Sequence, residues 1–259
     1  ELERRGHRFA SATDTEVILH AYEEWGIACL ERLNGMFAFA LWDQGRAKLF
    51  LVRDRLGIKP LYYGRFGDTL AFASDTRALI DLPWVRKAID PGALTCYLLY
   101  KYVSGEASIW QGLSRLLPAH YLEYDLGTGT SRSRRYWHLP LLTRPWSFES
   151  ACEEFADLFE TSVKNCLVSD VPIGLFLSGG YDSSAIAYAA TRWSPHINSF
   201  CIGFEGGGRD ERPAAAETAS WLSTTHHEQS LGLSQFQGID RVIDAYDEPL
   251  ADSSIFPTF

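Results

Sequence analysis

The chain has 259 residues, 46% of them hydrophobic and 22% charged, which is long enough for two ordinary domains and typical of a globular protein rather than a disordered or fibrous one. Its net charge of -9, from 33 acidic against 24 basic residues, argues against a nucleic-acid backbone as partner, because such sites concentrate positive charge. The longest apolar run, Met36 to Trp42, is too short to span a bilayer, and the opening Glu1-Leu2-Glu3-Arg4-Arg5 lacks an apolar signal segment, so no membrane is expected and the cytoplasm is the default compartment. The five cysteines (Cys29, Cys96, Cys152, Cys166, Cys201) include no CxxC pair, so buried free thiols are expected rather than disulfides or a thiolate metal site.

Thr13-Asp14-Thr15-Glu16 opens the first helix, with Thr13 and Glu16 spaced as a capping box. Val17, Ile18, Ala21, Tyr22 and Trp25 follow at helical spacing, and Gly26 is a natural stop. From Met36 the period changes. Met36 to Trp42 and Ala47 to Val52 flank a turn at Asp43-Gln44-Gly45-Arg46 and predict a largely buried hairpin. Leu61 to Gly64 with Leu70 to Ser74, and His120 to Asp125 with Ser131 to Trp137, predict two more hairpins. Arg132, Arg134 and Arg135 alternate with serines in the last of these strands, as on a solvated face. A helix followed by hairpins is an α+β pattern. Leu139 to Pro145 has two prolines and no period, which sets the expected boundary between residues 1–140 and 141–259.

Beyond it, helix and strand alternate. Phe155, Leu158, Phe159, Val163, Cys166 and Leu167 form a helical stripe, and Ile173 to Leu177 is the short apolar run of a buried parallel strand. A helix near Ser184 to Trp193, a strand from Ile197 to Phe204, and helices over Pro213 to Leu222 and Phe236 to Tyr246 complete an α/β half.

The sharpest local signal is Phe176-Leu177-Ser178-Gly179-Gly180-Tyr181-Asp182-Ser183-Ser184, placed between strand and helix. Two adjacent glycines let backbone N–H groups approach a ligand, and the following helix aims its free N–H groups and positive dipole end at the same point. Ser178, Ser183 and Ser184 add hydroxyls, so the turn suits a phosphate or pyrophosphate. Asp182 would repel phosphate unless Mg²⁺ lay between them. The stretch has neither GxxxxGK[ST] nor GxGxxG, which argues against the nucleotide loop of kinases and against dinucleotide binding.

Ser178-Gly179-Gly180-Tyr181-Asp182-Ser183-Ser184 resembles the SGGxDSS pyrophosphate loop of N-type ATP pyrophosphatases. Ser169-Asp170-Val171-Pro172-Ile173-Gly174, Ser199-Phe200-Cys201-Ile202-Gly203-Phe204, His226-His227-Glu228 and Asp247-Glu248-Pro249-Leu250-Ala251-Asp252-Ser253-Ser254 resemble segments of asparagine synthetases in the same order. Thr13 to Leu19, Gly35 to Asp43 and Arg53 to Tyr63 are similar to segments of that family's class II glutamine amidotransferase domain. The resemblance implies an α+β Ntn-type amidotransferase sandwich, incomplete at its N-terminus, followed by an α/β parallel-sheet ATP pyrophosphatase domain, incomplete at its C-terminus. It also implies ATP-dependent amidation of aspartate through β-aspartyl-AMP, with ammonia from glutamine and release of AMP and pyrophosphate.

By the same resemblance, Ser178, Gly179, Gly180, Asp182, Ser183 and Ser184 hold pyrophosphate, Asp182 holds Mg²⁺, and Phe176 and Ile202 lie against adenine. Ser178, Asp182 and Ser183 are the implied catalytic groups, and Asp14 matches the carboxylate that binds the α-amino group of glutamine. The expected partners are ATP, Mg²⁺ and small substrates (glutamine, and aspartate or another carboxylate), without nucleic acid or membrane, and with a homodimer left open. Arg53 and Asp54 read as a buried pair orienting a turn; His226 and His227 read as structural or ATP-side hydrogen-bonding groups; and Asp247, Glu248 and Asp252 form an acidic cluster with a solvated loop or a place near the substrate as alternatives.

The chain departs from the family in four places. No N-terminal cysteine is present and Cys29 falls in a helical segment, the Asn-Gly segment expected before Asp14 is absent, and the SGDGGDE loop is not reached by Phe259. A fragment of a longer synthetase is the expected explanation, against a natural remnant that lost both activities. Tyr181 replaces the usual aliphatic residue and is expected to pack behind the turn. A relative adenylating a different carboxylate (β-lactam- or peptide-ring-forming) and a non-catalytic interaction protein on the same scaffold are the alternatives.

Overall fold

A computed structural model of the protein describes residues 1–141, 145–205, 210–232, 238–252 and 254–258 and divides the chain into two units. The first comprises Glu1–Leu141 and Tyr246–Asp252, the second Leu142–Ala245 and Ser253–Phe259.

In the first unit, α1 (Asp14–Trp25) starts and stops at the expected residues. Thr13 caps it by accepting from the Glu16 N–H at 3.4 Å. The reciprocal half of the capping box does not form. Glu16 instead accepts from the Ala10 and Ser11 N–H groups at 2.7 and 2.6 Å, so it ties down the chain one turn further back. The three expected hairpins are present: β1 (Ala38–Asp43) with β2 (Lys48–Arg53), β3 (Tyr62–Phe66) with β4 (Thr69–Ala73), and β6 (His120–Asp125) with β7 (Thr130–Arg135). They are distributed over two antiparallel sheets, ordered β1-β2-β6-β7 and β4-β3-β5, where β5 is Leu113–Arg115.

Strand β2 shows why its apolar run is continuous. Phe50 and Val52 join the core under α1, with Ala21, Leu41 and Tyr121, while Leu51 and Leu49 turn to a second cluster with Leu61, Leu116, Leu122, Tyr63 and Leu70. Successive side chains of one strand therefore feed cores on both of its faces. The first strand is less buried than expected. Trp42, on the outer strand of the sheet that the described residues form, and Met36, just before that strand, are each about half exposed. At the opposite edge β7 is exposed along its whole length, and Arg132, Arg134 and Arg135 give it the charge that discourages further strand pairing.

Between β4 and β6 lie elements that the hairpin pattern does not predict: β5, α2 (Thr76–Ile80) and α3 (Pro91–Tyr100). Asp90 caps α3 by accepting from Ala93 N–H at 2.8 Å, with Pro91 in the first turn. The same Asp-Pro-Gly run is also turn chemistry, which hides this start in the sequence.

The second unit holds α4 (Phe148–Cys166), β8 (Gly174–Phe176), α5 (Tyr181–Thr191), β9 (Asn198–Phe204), α6 (Arg212–Leu222), β10 (Thr225–Leu231), α7 (Ile239–Ala245) and the short α8 (Ile255–Thr258). Its three strands are parallel in the order β10-β9-β8. The core on one face is built of small residues, with Ala187 of α5 and Ala215 and Ala219 of α6 against Leu177 and Cys201, which lets the helices sit close to the strands. The other face carries Phe176, Phe200 and Phe204. Strand β8 is thus less buried than its composition suggests: it is the outer strand of the sheet that the described residues form, and Phe176 is 70% exposed. The apolar stripe of α4 is likewise open at Phe155 and Leu158. Of the helix expected from Phe236, residues 236 and 237 lie outside the described residues, as do 142–144 of the expected boundary. Among the described residues no helix is long and apolar enough to cross a membrane.

Candidate active site

The turn after β8 has the conformation that its glycines suggest. Gly179 stands at φ +71°, where L side chains are strained, and a Cβ there would come within 2.7 Å of Ala214 Cβ and 2.9 Å of the Ala215 backbone nitrogen. The chain can pass between β8 and α6 only without a side chain at that point. Ser178 and Ser183 close the turn on itself: their hydroxyl oxygens are 3.0 Å apart, Ser178 N–H donates to Ser183 Oγ at 3.2 Å, and Ser183 Oγ donates to Gly180 O at 3.2 Å. Gly180, the N-cap of α5, offers no side-chain cap to the helix. The first turn of an eleven-residue helix therefore opens beside two hydroxyls and a glycine-rich backbone, at the carboxyl end of a parallel strand. That is the favoured position for an anion in such folds.

Beside this turn is a cleft of about 390 Å³ lined by Phe176, Ser178, Phe200, Ile202, Phe204 and Glu211, among others. The expected adenine neighbours, Phe176 and Ile202, thus share one apolar hollow with Ser178 of the turn. Phe200, Ile202 and Phe204 reach it because they alternate along β9, whose other face (Ser199, Cys201, Gly203) is buried. Their period of two was visible in the sequence. Ser254 and Thr258 also line the cleft, from α8 and the residue before it; Ser254 belongs to the quoted Asp-Ser-Ser motif, whereas Glu211 and Thr258 carried no local signal.

Asp182 does not line that cleft. It opens toward α4, in a second hollow of about 540 Å³ with Phe155, Phe159, Glu160 and Tyr181. Tyr181 is 97% exposed, so it does not pack behind the turn: at the first position of α5 its side chain projects away from the sheet. In kind, the donors at the turn (one exposed carboxylate and two hydroxyls) suit a hard, oxygen-preferring cation.

In the first unit, Asp14 is the exposed first residue of α1. Thr13 already caps the helix, so the Asp14 carboxylate is not required for that task. Arg53 and Asp54 do organise a turn. Asp54, 1% exposed, accepts from the N–H groups of Leu56, Ile58 and Lys59 at 3.1, 3.0 and 2.9 Å. Arg53 donates to the carbonyls of Lys59, Leu116 and Gly57 at 2.8, 2.6 and 2.7 Å. Cys29 is a core residue whose thiol is pushed up to about 11 by burial, far from the range of a nucleophile at neutral pH. Cys201 is buried too, but Cys96 is partly exposed and Cys152 and Cys166 are exposed, so burial describes only some of the thiols.

His226 and His227 point to opposite faces of β10. His226 Nδ1 is 2.8 Å from Ser199 Oγ, and His227 Nε2 is 3.0 Å from Asn198 Oδ1 while its ring stacks on Phe200. Asp247 and Glu248 are not a solvated loop: both are largely buried in the first unit. Asp247 accepts from Thr76 N–H at 3.2 Å, and burial raises its carboxyl above the usual carboxylate range. Glu248 pairs with Arg115 and accepts from Tyr62 Oη at 3.3 Å and Ile109 N–H at 2.9 Å.

Residues 1–137 match the model of the glutamine amidotransferase domain, and residues 154–259 match that of asparagine synthase. An amidotransferase module followed by a synthetase module is the class defined. The chain belongs to the glutamine amidotransferase domain family over residues 1–137, and its remainder is similar to asparagine synthase. It is similar to asparagine synthetase [glutamine-hydrolyzing] 3 of Bacillus subtilis, at 35% identity over 88% of this chain and 39% of the relative. A putative asparagine synthetase [glutamine-hydrolyzing] 2 of Methanocaldococcus jannaschii is 34% identical over 96% of this chain and 49% of its own length, and a putative one of Mycobacterium bovis is 33% identical over 99% and 40%. The chain spans less than half the length of these curated relatives.

Proposed function

We propose that the protein acts as a glutamine-hydrolysing, ATP-dependent asparagine synthetase, and that the Ser178–Ser184 turn is its ATP diphosphate site. The observation that carries this is the side-chain-free passage at Gly179, leading into an α5 terminus without a side-chain cap and flanked by the Phe176–Ile202 cleft. ATP would lay its base against Phe176 and Ile202 and its β- and γ-phosphates on the N–H groups of the turn, with the Ser178 and Ser183 hydroxyls as further donors. Mg²⁺ bound through Asp182 would offset part of the phosphate charge.

The aspartate side-chain carboxylate attacks the α-phosphoryl group, the bond to the bridging oxygen breaks, and pyrophosphate leaves. Ammonia then attacks the acyl carbon of β-aspartyl-AMP, giving asparagine and AMP. Negative charge grows on the leaving diphosphate in the first step, and fixed donors already aimed there need no reorganisation. Asp14, spared from capping, would bind the α-amino group of the glutamine that supplies the ammonia.

Aspartate-dependent exchange of labelled pyrophosphate into ATP, assayed in the whole protein, tests this. Loss of one such donor costs about 3 kcal/mol elsewhere, so Ser178→Ala is expected to slow exchange about a hundredfold, and Asp182→Asn comparably, with folding unchanged. Exchange at the normal rate in both variants would remove the turn from the reaction. Exchange supported only by another carboxylate would move the protein to a related adenylating synthetase.

A further inference from the structure

Away from the ATP turn, α1 and the chain leading into it bring together His7, His20 and Glu23. His7 Nδ1 lies 3.2 Å from His20 Nδ1, His20 Nδ1 lies 2.9 Å from Glu23 Oε2, and His7 Nδ1 lies 3.7 Å from that oxygen. In a tetrahedral site with bonds of about 2.05 Å, ligand atoms stand about 3.3 Å apart, so this triangle has the size of one face of a zinc coordination sphere. His20 and Glu23 share a helix face because they are three residues apart, and His7 comes from the segment before the helix.

The outer nitrogens strengthen the case. His7 Nε2 is 3.2 Å from Glu24 Oε2, and His20 Nε2 is 3.6 Å from Glu16 Oε1. The Ala10 N–H and the Ser11 hydroxyl donate to the Glu16 carboxylate and fix its position. An ionised carboxylate only accepts, and it favours the proton on the Nε2 that faces it. With each Nε2 directed at a carboxylate, the two Nδ1 atoms and the Glu23 carboxylate converge on one point. A cation at that point would be held by all three atoms at once. Carboxylate–histidine–metal relays are the usual way in which imidazole ligands are oriented.

We propose that His7, His20 and Glu23 bind one Zn²⁺ ion, with water as fourth ligand and with Glu24 and Glu16 orienting the two imidazoles. Two imidazoles and a carboxylate suit zinc far better than Mg²⁺ or Ca²⁺, so this site is chemically distinct from the one at Asp182. The Glu23 side chain is open to solvent, and the ion can enter without unfolding the unit. Once bound, it clasps the segment before α1 to the helix that begins at Asp14.

Untagged protein, stripped with chelator, would be titrated with ZnCl₂ by calorimetry and with Co²⁺ by visible absorption. The expected result is one equivalent of zinc, a Tm that rises with zinc concentration, and tetrahedral Co²⁺ bands without thiolate charge transfer, which separates the site from the cysteines. His7→Ala and Glu23→Gln abolish this binding, and Glu24→Gln weakens it by about 10- to 100-fold. Glu23 is on the surface, so its variant keeps the fold whatever becomes of His7→Ala. Absence of saturable zinc binding, as for a His7–His20 pair bridged by a proton, overturns the proposal; so does binding that persists unchanged in Glu23→Gln.

Discussion

Gly179→Ala is expected to abolish aspartate-dependent ATP–pyrophosphate exchange, with a fall of about a thousandfold or more, and to leave the first unit intact. The new Cβ has two costs. It holds an L residue at φ +71°, and it drives a methyl group to 2.7 Å from Ala214 Cβ and 2.9 Å from the α6 backbone. A backbone cannot step aside as a flexible side chain can, so either the turn flips or α6 moves. A turn that flips misaims several N–H donors at once, whereas each single donor is worth about a hundredfold or more. The strain also exceeds the roughly 1 kcal/mol scale of a compatible Gly→Ala change and carries the opposite sign. Gly180→Ala is the control, because a Cβ there meets only Ser178 Oγ at 3.4 Å. Its exchange should fall much less. Equal activities of the two variants would show that the Gly179 conformation has no part in binding.

The second large effect is on stability. Glu248→Ala should destabilise the first unit by about 3 kcal/mol, read from urea and thermal unfolding, because it leaves the largely buried Arg115 without its counter-charge. Glu248 is only 8% exposed and serves Arg115, Tyr62 Oη and Ile109 N–H together. Glu248→Gln keeps the shape and an acceptor and should lose less. Replacing both partners with apolar residues, Glu248→Leu with Arg115→Met, should recover part of the loss, since the penalty arises from the unpaired charge and not from absence of the pair. A Glu248→Ala variant as stable as the parent would mean that the segment Tyr246–Asp252 is not anchored as described.

Where the chain chooses its structure locally, the sequence was legible. The Thr13 cap, the Gly26 stop and the three hairpins all follow from periods and turn residues within a few positions of one another. The strand–glycine turn–helix order at Phe176 to Ser184 was equally open to reading, because it depends on Gly179 and Gly180 and on their immediate neighbours. What could not be read depends on distant partners. Nothing near Glu248 announces Arg115, 133 residues earlier, or that its backbone belongs with the first unit. Phe176 is exposed together with Phe200 and Phe204 on one face of the sheet, and which face is covered is not revealed by composition alone. No local pattern announces His7 and His20 either, since only the fold of the chain before α1 brings their Nδ1 atoms together.

The most direct measurement is a crystal structure of the whole protein with a non-hydrolysable ATP analogue and Mg²⁺. The β- and γ-phosphate oxygens should lie within hydrogen-bond distance of the backbone N–H groups between Ser178 and Ser183, with the base between Phe176 and Ile202. A well-occupied nucleotide whose diphosphate lies elsewhere, with the Ser178–Ser183 turn still closed on itself, would contradict the assignment.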